Sequence, residues 1–304
     1  MIVGLAWVNY FGVKAGARVQ TSVTALKIIL ILALVGLAAV LGGGRSEHLV
    51  SSVAHTGGFR GFFAALVGAL WAYDGWNNLT MISGEIRAPQ RNIPRALILG
   101  VLAVLAIYVV TNLAYFYVLP AQDVAATDRV ASAAAHRFLG PAGGDAVAFA
   151  AMISIFAALN GAILSGGRVP YAMARDGLFF APLARVHPAH RSPHYSILAV
   201  SGWAAVLVLS GHFEQLFTYV IFASWILYAM TASAVFVLRA KRPDLPRSYR
   251  TLGYPFVPAL FILTAVSLVL MTLWDSPRES LMGGGLICAG IPFYLFWRKR
   301  ASFA

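Results

Sequence analysis

Asp74 and Gly75 lie in the middle of an apolar run long enough to cross a bilayer, within the stretch Leu70-Trp71-Ala72-Tyr73-Asp74-Gly75-Trp76-Asn77-Asn78. A carboxylate at that depth is expensive unless it is paired or hydrated. A glycine inside a helix costs about 1 kcal/mol relative to alanine. Together they predict a helix that breaks. Broken backbone is tolerated at membrane depth only where it is buried in protein or lines a wet cavity, and transporters use such breaks to hold substrate. The plainer alternative is a kink carrying a snorkelling or capping Asp. In the binding reading, the half-helix that ends near Trp71 turns its last carbonyls inward. Their partial negative charge suits an ammonium group, so the backbone of Leu70, Trp71, Ala72 and Tyr73 is expected to hold a substrate amine, with Gly75 making the break. Asp74 has three readings: capping the second half-helix, which comes first; pairing with a cationic substrate side chain; or pairing with Lys27. Asn77 either bonds substrate or bridges helices.

Other polar residues stand inside apolar runs. Lys27 needs a partner or a route for snorkelling. Asn160-Gly161 suits either a cross-helix bond or a substrate contact. Tyr219, Ser224 and Tyr228 are weaker candidates. Glu85 has Arg87, Arg91 or Arg168 as a gate-like partner, or is simply solvated. His187, His190 and His194 are loosely spaced without Cys or carboxylate companions, so no metal site and no cofactor are expected. Cys288, the single cysteine, is expected to pack or face lipid, and it excludes an internal disulfide.

The elements that position these residues follow from composition. The 304 residues are 60% hydrophobic and 11% charged, whereas a soluble domain is about a quarter charged. The apolar runs are continuous rather than short and alternating, which excludes a membrane β-barrel. The chain reads as one all-α polytopic membrane domain in contact with the lipid bilayer. Residues 1–12 are apolar but too short to span, so the chain is expected to begin partway through a helix. Crossings are expected at 18–41, 60–86 (the broken segment), 95–119, 146–169, 194–210, 213–238, 254–274 and 281–297. A surface helix is expected over Thr127 to Phe138. The apolar start lacks the basic leader and small-residue cleavage site of a signal peptide.

The net charge of +12 raises the question of nucleic acid. Its distribution answers it. Alternate loops hold Lys14 and Arg18; Arg87, Arg91 and Arg95; Arg168, Arg175, Arg185 and Arg191; Arg239 to Arg250; and Arg298 to Arg300. Most of the Lys and Arg thus mark one side, read as cytoplasmic, and eight crossings return the C-terminus to it. The charge is topological, and no nucleic-acid partner is expected. The cell (plasma or inner) membrane is the expected location; whether there is a protein partner is left open.

Trp71-Ala72-Tyr73-Asp74-Gly75-Trp76-Asn77, followed by Glu85, Pro89, Asn92, Pro94 and Arg95, resembles the sixth helix and following loop of L-type amino acid transporters of the amino acid–polyamine–organocation (APC) superfamily. Val19-Gln20 through Ala25-Leu26-Lys27 resembles that family's fifth helix. Asn160-Gly161 with Arg168, Arg175 and Asp176-Gly177 resembles the eighth helix and its exit. The resemblance implies a partial LeuT-like inverted-repeat fold: about eight full transmembrane helices, family helices five to twelve, plus a partial first from helix four. Helices one to three, and the Gly-rich break of the first, have no counterpart. It further implies a permease or exchanger moving an L-amino acid by alternating access, Trp71 as an aromatic gate, and a Lys27 ammonium standing where sodium-coupled members hold a cation, hence sodium independence. The alternatives are a non-transporting fragment and a membrane-embedded enzyme. An enzyme would need a cluster of His, Asp or Ser at one depth, and none is visible. A channel would need rings of filter residues, also not visible.

Overall fold

The computed structural model describes residues 1–50, 58–210, 213–247 and 249–301. All regular secondary structure among the described residues is helical. It begins with α1 (Ile2–Tyr10), α2 (Val13–Leu41), α3 (Gly58–Ala72) and the single turn α4 (Asn78–Met81). Next come α5 (Pro89–Val118), α6 (Ala121–Ala125), α7 (Val130–Leu139), α8 (Pro141–Gly166) and α9 (Arg168–Arg175). The chain closes with α10 (His194–Ser210), α11 (Phe213–Lys241), α12 (Phe256–Asp275) and α13 (Pro277–Ala301).

Among the described residues, six helical stretches are long and apolar enough to cross a bilayer: Val13–Leu41, Pro89–Val118, Pro141–Arg175, Val220–Lys241, Phe256–Asp275 and Pro277–Lys299. Gly61–Ala72 and His194–Leu209 are apolar but shorter. These two shorter helices fall within the stretches 60–86 and 194–210, where crossings are expected. α1 is nine residues long.

Several helices run past their apolar cores. The basic stretch Pro89–Pro94, expected as a loop, is the start of α5. Proline at N1 loses no helical hydrogen bond, and Ala88 in the left-handed region (φ +46) turns the chain into it. The same device opens α8 at Pro141, after Gly140 at φ +61. The polar segment before it therefore ends earlier than its composition suggests.

Burial is concentrated where helices meet. Leu5 and Ala6 of α1 pack with Ile163 of α8 and Ile197 of α10, while Ala38 of α2 packs with Val118, Leu119 and Ala134 at the other end. Gly167 is needed at the α8–α10 contact, since a Cβ there would approach Ile197 Cγ1 to 2.8 Å. Elsewhere large apolar side chains face outward, as in Leu99, Leu102, Leu105 and Leu113 along α5. In water this would be a liability; in a multi-pass membrane protein it is the lipid-facing surface. α2 lies against α8, and α11 against α12 and α13. The break between α3 and α4 sits beside both groups: α3 meets α12, and α4 meets α5 and α8.

Candidate functional site

The helix breaks where charge and glycine coincide. α3 stops at Ala72, and its last turn tightens into i to i−3 bonds: the Tyr73 N–H donates to the Leu70 carbonyl at 3.2 Å and the Asp74 N–H to the Trp71 carbonyl at 2.9 Å. Gly75 then takes φ +97, a conformation that side chains disfavour. A Cβ there would meet only Asn78 Nδ2, at 3.5 Å, so the glycine serves the turn and not the space. The Ala72 carbonyl accepts the hydroxyl of Tyr108 from α5 at 2.7 Å, and the Tyr73 and Tyr108 rings meet edge to face at 4.9 Å. Of the four carbonyls expected to hold an amine, those of Leu70, Trp71 and Ala72 each accept a hydrogen bond. The Tyr73 carbonyl takes none among the described residues.

A cavity of about 110 Å³ opens beside the break. Leu70, Trp71, Tyr73, Asp74 and Trp76 form one wall; Ile221, Ser224, Trp225 and Tyr228 of α11 and Phe261 of α12 form the other. Trp225 lies 5.7 Å from Tyr228 and 6.1 Å from Phe261 between ring centroids. The Tyr228 hydroxyl donates to Asp74 Oδ1 at 3.2 Å and accepts from Asn77 Nδ2 at 3.0 Å. Asn77 is therefore the bridge between the break and α11. The first-named role for Asp74 is corrected: Asn77 occupies the N-cap of α4 without a side-chain cap bond, and the carboxylate's hydrogen bond comes from α11. Lys27 is half-buried on α2 and makes no ion pair with a described carboxylate, so the Asp74–Lys27 pairing is absent as well.

Asn160 does not line this cavity. Its side chain is fully buried and ties three helices together. Asn160 Nδ2 donates to the Gly16 carbonyl at 3.1 Å and to Gln20 Oε1 at 2.9 Å, both on α2, while its Oδ1 accepts from Asn9 Nδ2 of α1 at 2.9 Å. These bonds engage both amide protons of Asn160, the arrangement of helix-bridging polar residues in membranes. Gly161 sits against Gln20.

At the end carrying Lys14, Glu85 pairs with Arg168 rather than with Arg87 or Arg91. Arg168 Nε lies 2.8 Å from Oε1, and Nη2 lies 3.3 Å from Oε2. Arg168 is only 6% exposed and also donates to the Leu164 carbonyl. The histidines are closer than their spacing suggests. His187 and His190 stack at 4.5 Å, His194 lies 5.2 Å from His187, and Tyr10 touches all three. No group among the described residues suits a metal ion. The side chain of Tyr219 lies outside the described residues. Cys288 is exposed on α13.

Sequence reasoning missed Tyr108, Trp225 and Phe261, which look like ordinary membrane aromatics, and Asn9. The usable signals were Ser224, Trp225 and Tyr228 at one-turn spacing on α11, and a lone Asn in an apolar run. The model of a family described as amino acid permease matches residues 1–296. The chain belongs to the amino acid permease family. Among the relatives of this permease chain is the serine/threonine exchanger SteT of Bacillus subtilis, 33% identical over 301 residues, which cover 98% of the chain and 68% of SteT. The human b(0,+)-type amino acid transporter 1 is 32% identical over 97% of the chain and 61% of that protein. The human cystine/glutamate transporter is 27% identical over 96% and 59%. The chain thus spans about three fifths of the length of these mammalian relatives and about two thirds of SteT. The relatives are transporters and exchangers, which overturns the membrane-enzyme alternative.

Proposed function

We propose that this chain carries the substrate-holding break of an L-amino acid permease or exchanger that works by alternating access. The observation that carries the proposal is the meeting, at one cavity, of the carbonyl end of α3 with Asp74 and the aromatic wall of α11 and α12. The α-ammonium rests on the carbonyls of Leu70 to Tyr73, where the end of the half-helix concentrates partial negative charge. Trp71 closes over the cavity as the gate. Asp74, with oxygen lone pairs left beyond the Tyr228 bond, meets polar or cationic parts of the substrate side chain. Lys27 on α2 takes the place of a coupling cation beside α8, making transport sodium-independent. Asn160 serves as the pivot that fixes α1, α2 and α8, and Glu85–Arg168 closes the path on the basic side. The chain sits in the cell membrane with its C-terminus in the cytoplasm, as the loop charges indicate.

The names of SteT and of the b(0,+)-type transporter support amino acids as the substrate class. The test is uptake of labelled neutral and cationic L-amino acids by proteoliposomes, with tryptophan fluorescence read in parallel because Trp71, Trp76 and Trp225 line the cavity. Saturable uptake in potassium medium, lost in Trp71→Ala, is expected. Strict sodium dependence overturns the role of Lys27. Absence of both uptake and an amino-acid-dependent fluorescence change overturns the reading in favour of a non-transporting chain.

A further inference from the structure

A cavity of about 970 Å³ lies away from the break, between the α1–α2 corner, the Glu85–Arg168 pair, α9 and the loop at 186–193. Four cationic side chains line it: Lys14, Arg168, Arg175 and Arg191. Its one carboxylate, Glu85, is taken by Arg168. Lys14, Arg175 and Arg191 have no described ion-pair partner. Gly12, Val13 and Lys14, also in the lining, form the N-terminus of 29-residue α2, which has no side-chain cap and adds its own positive potential.

These cations are held on fixed backbone. The Arg191 N–H donates to the His187 carbonyl and the His187 N–H to the Ser192 carbonyl, both at 2.8 Å. Ser192 Oγ donates to the Tyr10 carbonyl at 2.6 Å, fastening the loop to α1. Within it Arg191 is held at φ +52, a strained conformation for a non-glycine residue. Gly12, at φ +107, allows this loop to close on the corner, since a Cβ there would meet the His190 carbonyl oxygen at 2.6 Å. Arg175 lies over the Tyr171 ring at 5.9 Å, a cation–π contact that positions it.

Cations arriving from three separate elements match a tetrahedral anion better than a planar carboxylate, which one guanidinium fork satisfies. The volume is at the upper end for a small-molecule site, and Phe11, Ile82 and Val186 supply apolar lining. Basic pockets between transmembrane helices are where anionic headgroups bind. We propose that this cavity binds a phosphate-bearing anion, the headgroup of an anionic phospholipid or a soluble phosphate, between Lys14, Arg175 and Arg191.

The test is native mass spectrometry of the detergent-purified chain with phosphatidylglycerol against phosphatidylcholine, together with calorimetric titration of inorganic phosphate. Retention of phosphatidylglycerol over phosphatidylcholine is expected, falling by about tenfold or more in the Lys14→Gln/Arg191→Gln double variant. The Lys14→Arg/Arg191→Lys variant should keep binding, which separates lost charge from lost fold. The Arg45→Gln/Arg137→Gln variant, altered at the opposite end, should match the parent. Saturable phosphate binding with the same dependence on Lys14 and Arg191, but no lipid preference, supports the site with a soluble source. No binding in either arm, or binding indifferent to both charges, overturns the proposal.

Discussion

The Tyr228 hydroxyl donates to Asp74 at 3.2 Å across the gap between α11 and the helix break, and in the same geometry accepts from Asn77 at 3.0 Å. One phenol therefore ties both flanks of Gly75 to a neighbouring helix. Removing it with Tyr228→Phe frees the Asp74 carboxylate and the Asn77 amide and leaves the ring stacking in place. A hydrogen bond to a charged group contributes about 1.5–3 kcal/mol, reduced here because Asp74 is exposed. The expected result is a rise in KM of roughly tenfold, with the larger effect on cationic substrates, read from uptake kinetics. Unchanged KM for both substrate classes would remove Tyr228 from the site.

Gly75 sets the turn through its φ of +97. Gly75→Ala meets no steric obstacle closer than Asn78 Nδ2 at 3.5 Å, so its effect isolates backbone strain, about 1–2 kcal/mol. The prediction is a folded protein whose amino-acid-dependent tryptophan fluorescence change is weakened by roughly tenfold. A variant that binds normally would mean the break does not depend on the left-handed residue.

Both of these residues were legible before the fold, and the reason is the medium. A carboxylate and a glycine in the middle of an apolar run violate what a membrane helix tolerates, so they signal themselves. Tyr108 and Trp225 do not: an aromatic in a membrane helix is unremarkable, and only the approach of α5 and α11 to the break gives them meaning. Asn160 shows the opposite limit. Its polarity marked it, but its partners Asn9 and Gln20 lie on other helices, and only their positions decide that its amide is spent on packing. Asp74 shows a third limit, since the cap is the local expectation, while Tyr228 is 154 residues away.

Asn160→Leu should therefore act on stability. It removes two donated bonds and one accepted bond, leaving Gln20 and Asn9 without these partners. Interhelical hydrogen bonds in membranes average about 0.6 kcal/mol each, and the buried orphans add to the loss. A total of about 2–4 kcal/mol follows, a drop of several degrees in thermal midpoint measured by tryptophan fluorescence in detergent. Gly16→Ala should produce a comparable loss, because a Cβ there collides with Asn9 Oδ1. Full stability in both variants would remove the three-helix tie.

The Glu85–Arg168 pair is asymmetric: Arg168 is 6% exposed, while Glu85 is 34% exposed. Glu85→Gln leaves a buried guanidinium without its counter-ion, a change that costs about 3 kcal/mol or more in fully buried pairs and less here because the carboxylate is partly solvated. Arg168→Met leaves only a carboxylate that can reach water, but also deletes the bond to the Leu164 carbonyl. A double-mutant cycle on thermal stability should give a favourable coupling of about 1–2 kcal/mol. Additive single effects would mean that the two groups do not act as a pair.

His187 accepts the N–H groups of Ala189 and His190 on Nδ1, both at 3.2 Å, which requires that nitrogen to be unprotonated. Partial burial, followed by the nearby His190 and His194 rings, holds its pKa below the ordinary histidine value of 6.5. A base whose folded pKa is depressed contributes stability that is present above its unfolded pKa. That stability is lost as pH falls through the lower folded value. The thermal midpoint should therefore be flat above about pH 7 and decline on acidification below about 6.5, as protonation removes the two turn bonds that hold Arg191 beside the basic cavity. His187→Asn keeps a hydrogen-bond acceptor and removes the titration, so it should flatten part of that decline while leaving the midpoint at pH 8 within a degree or two of the parent. An identical acid limb in parent and variant would place the pH dependence elsewhere, and would leave the 187–192 loop held by its backbone bonds and Ser192 alone.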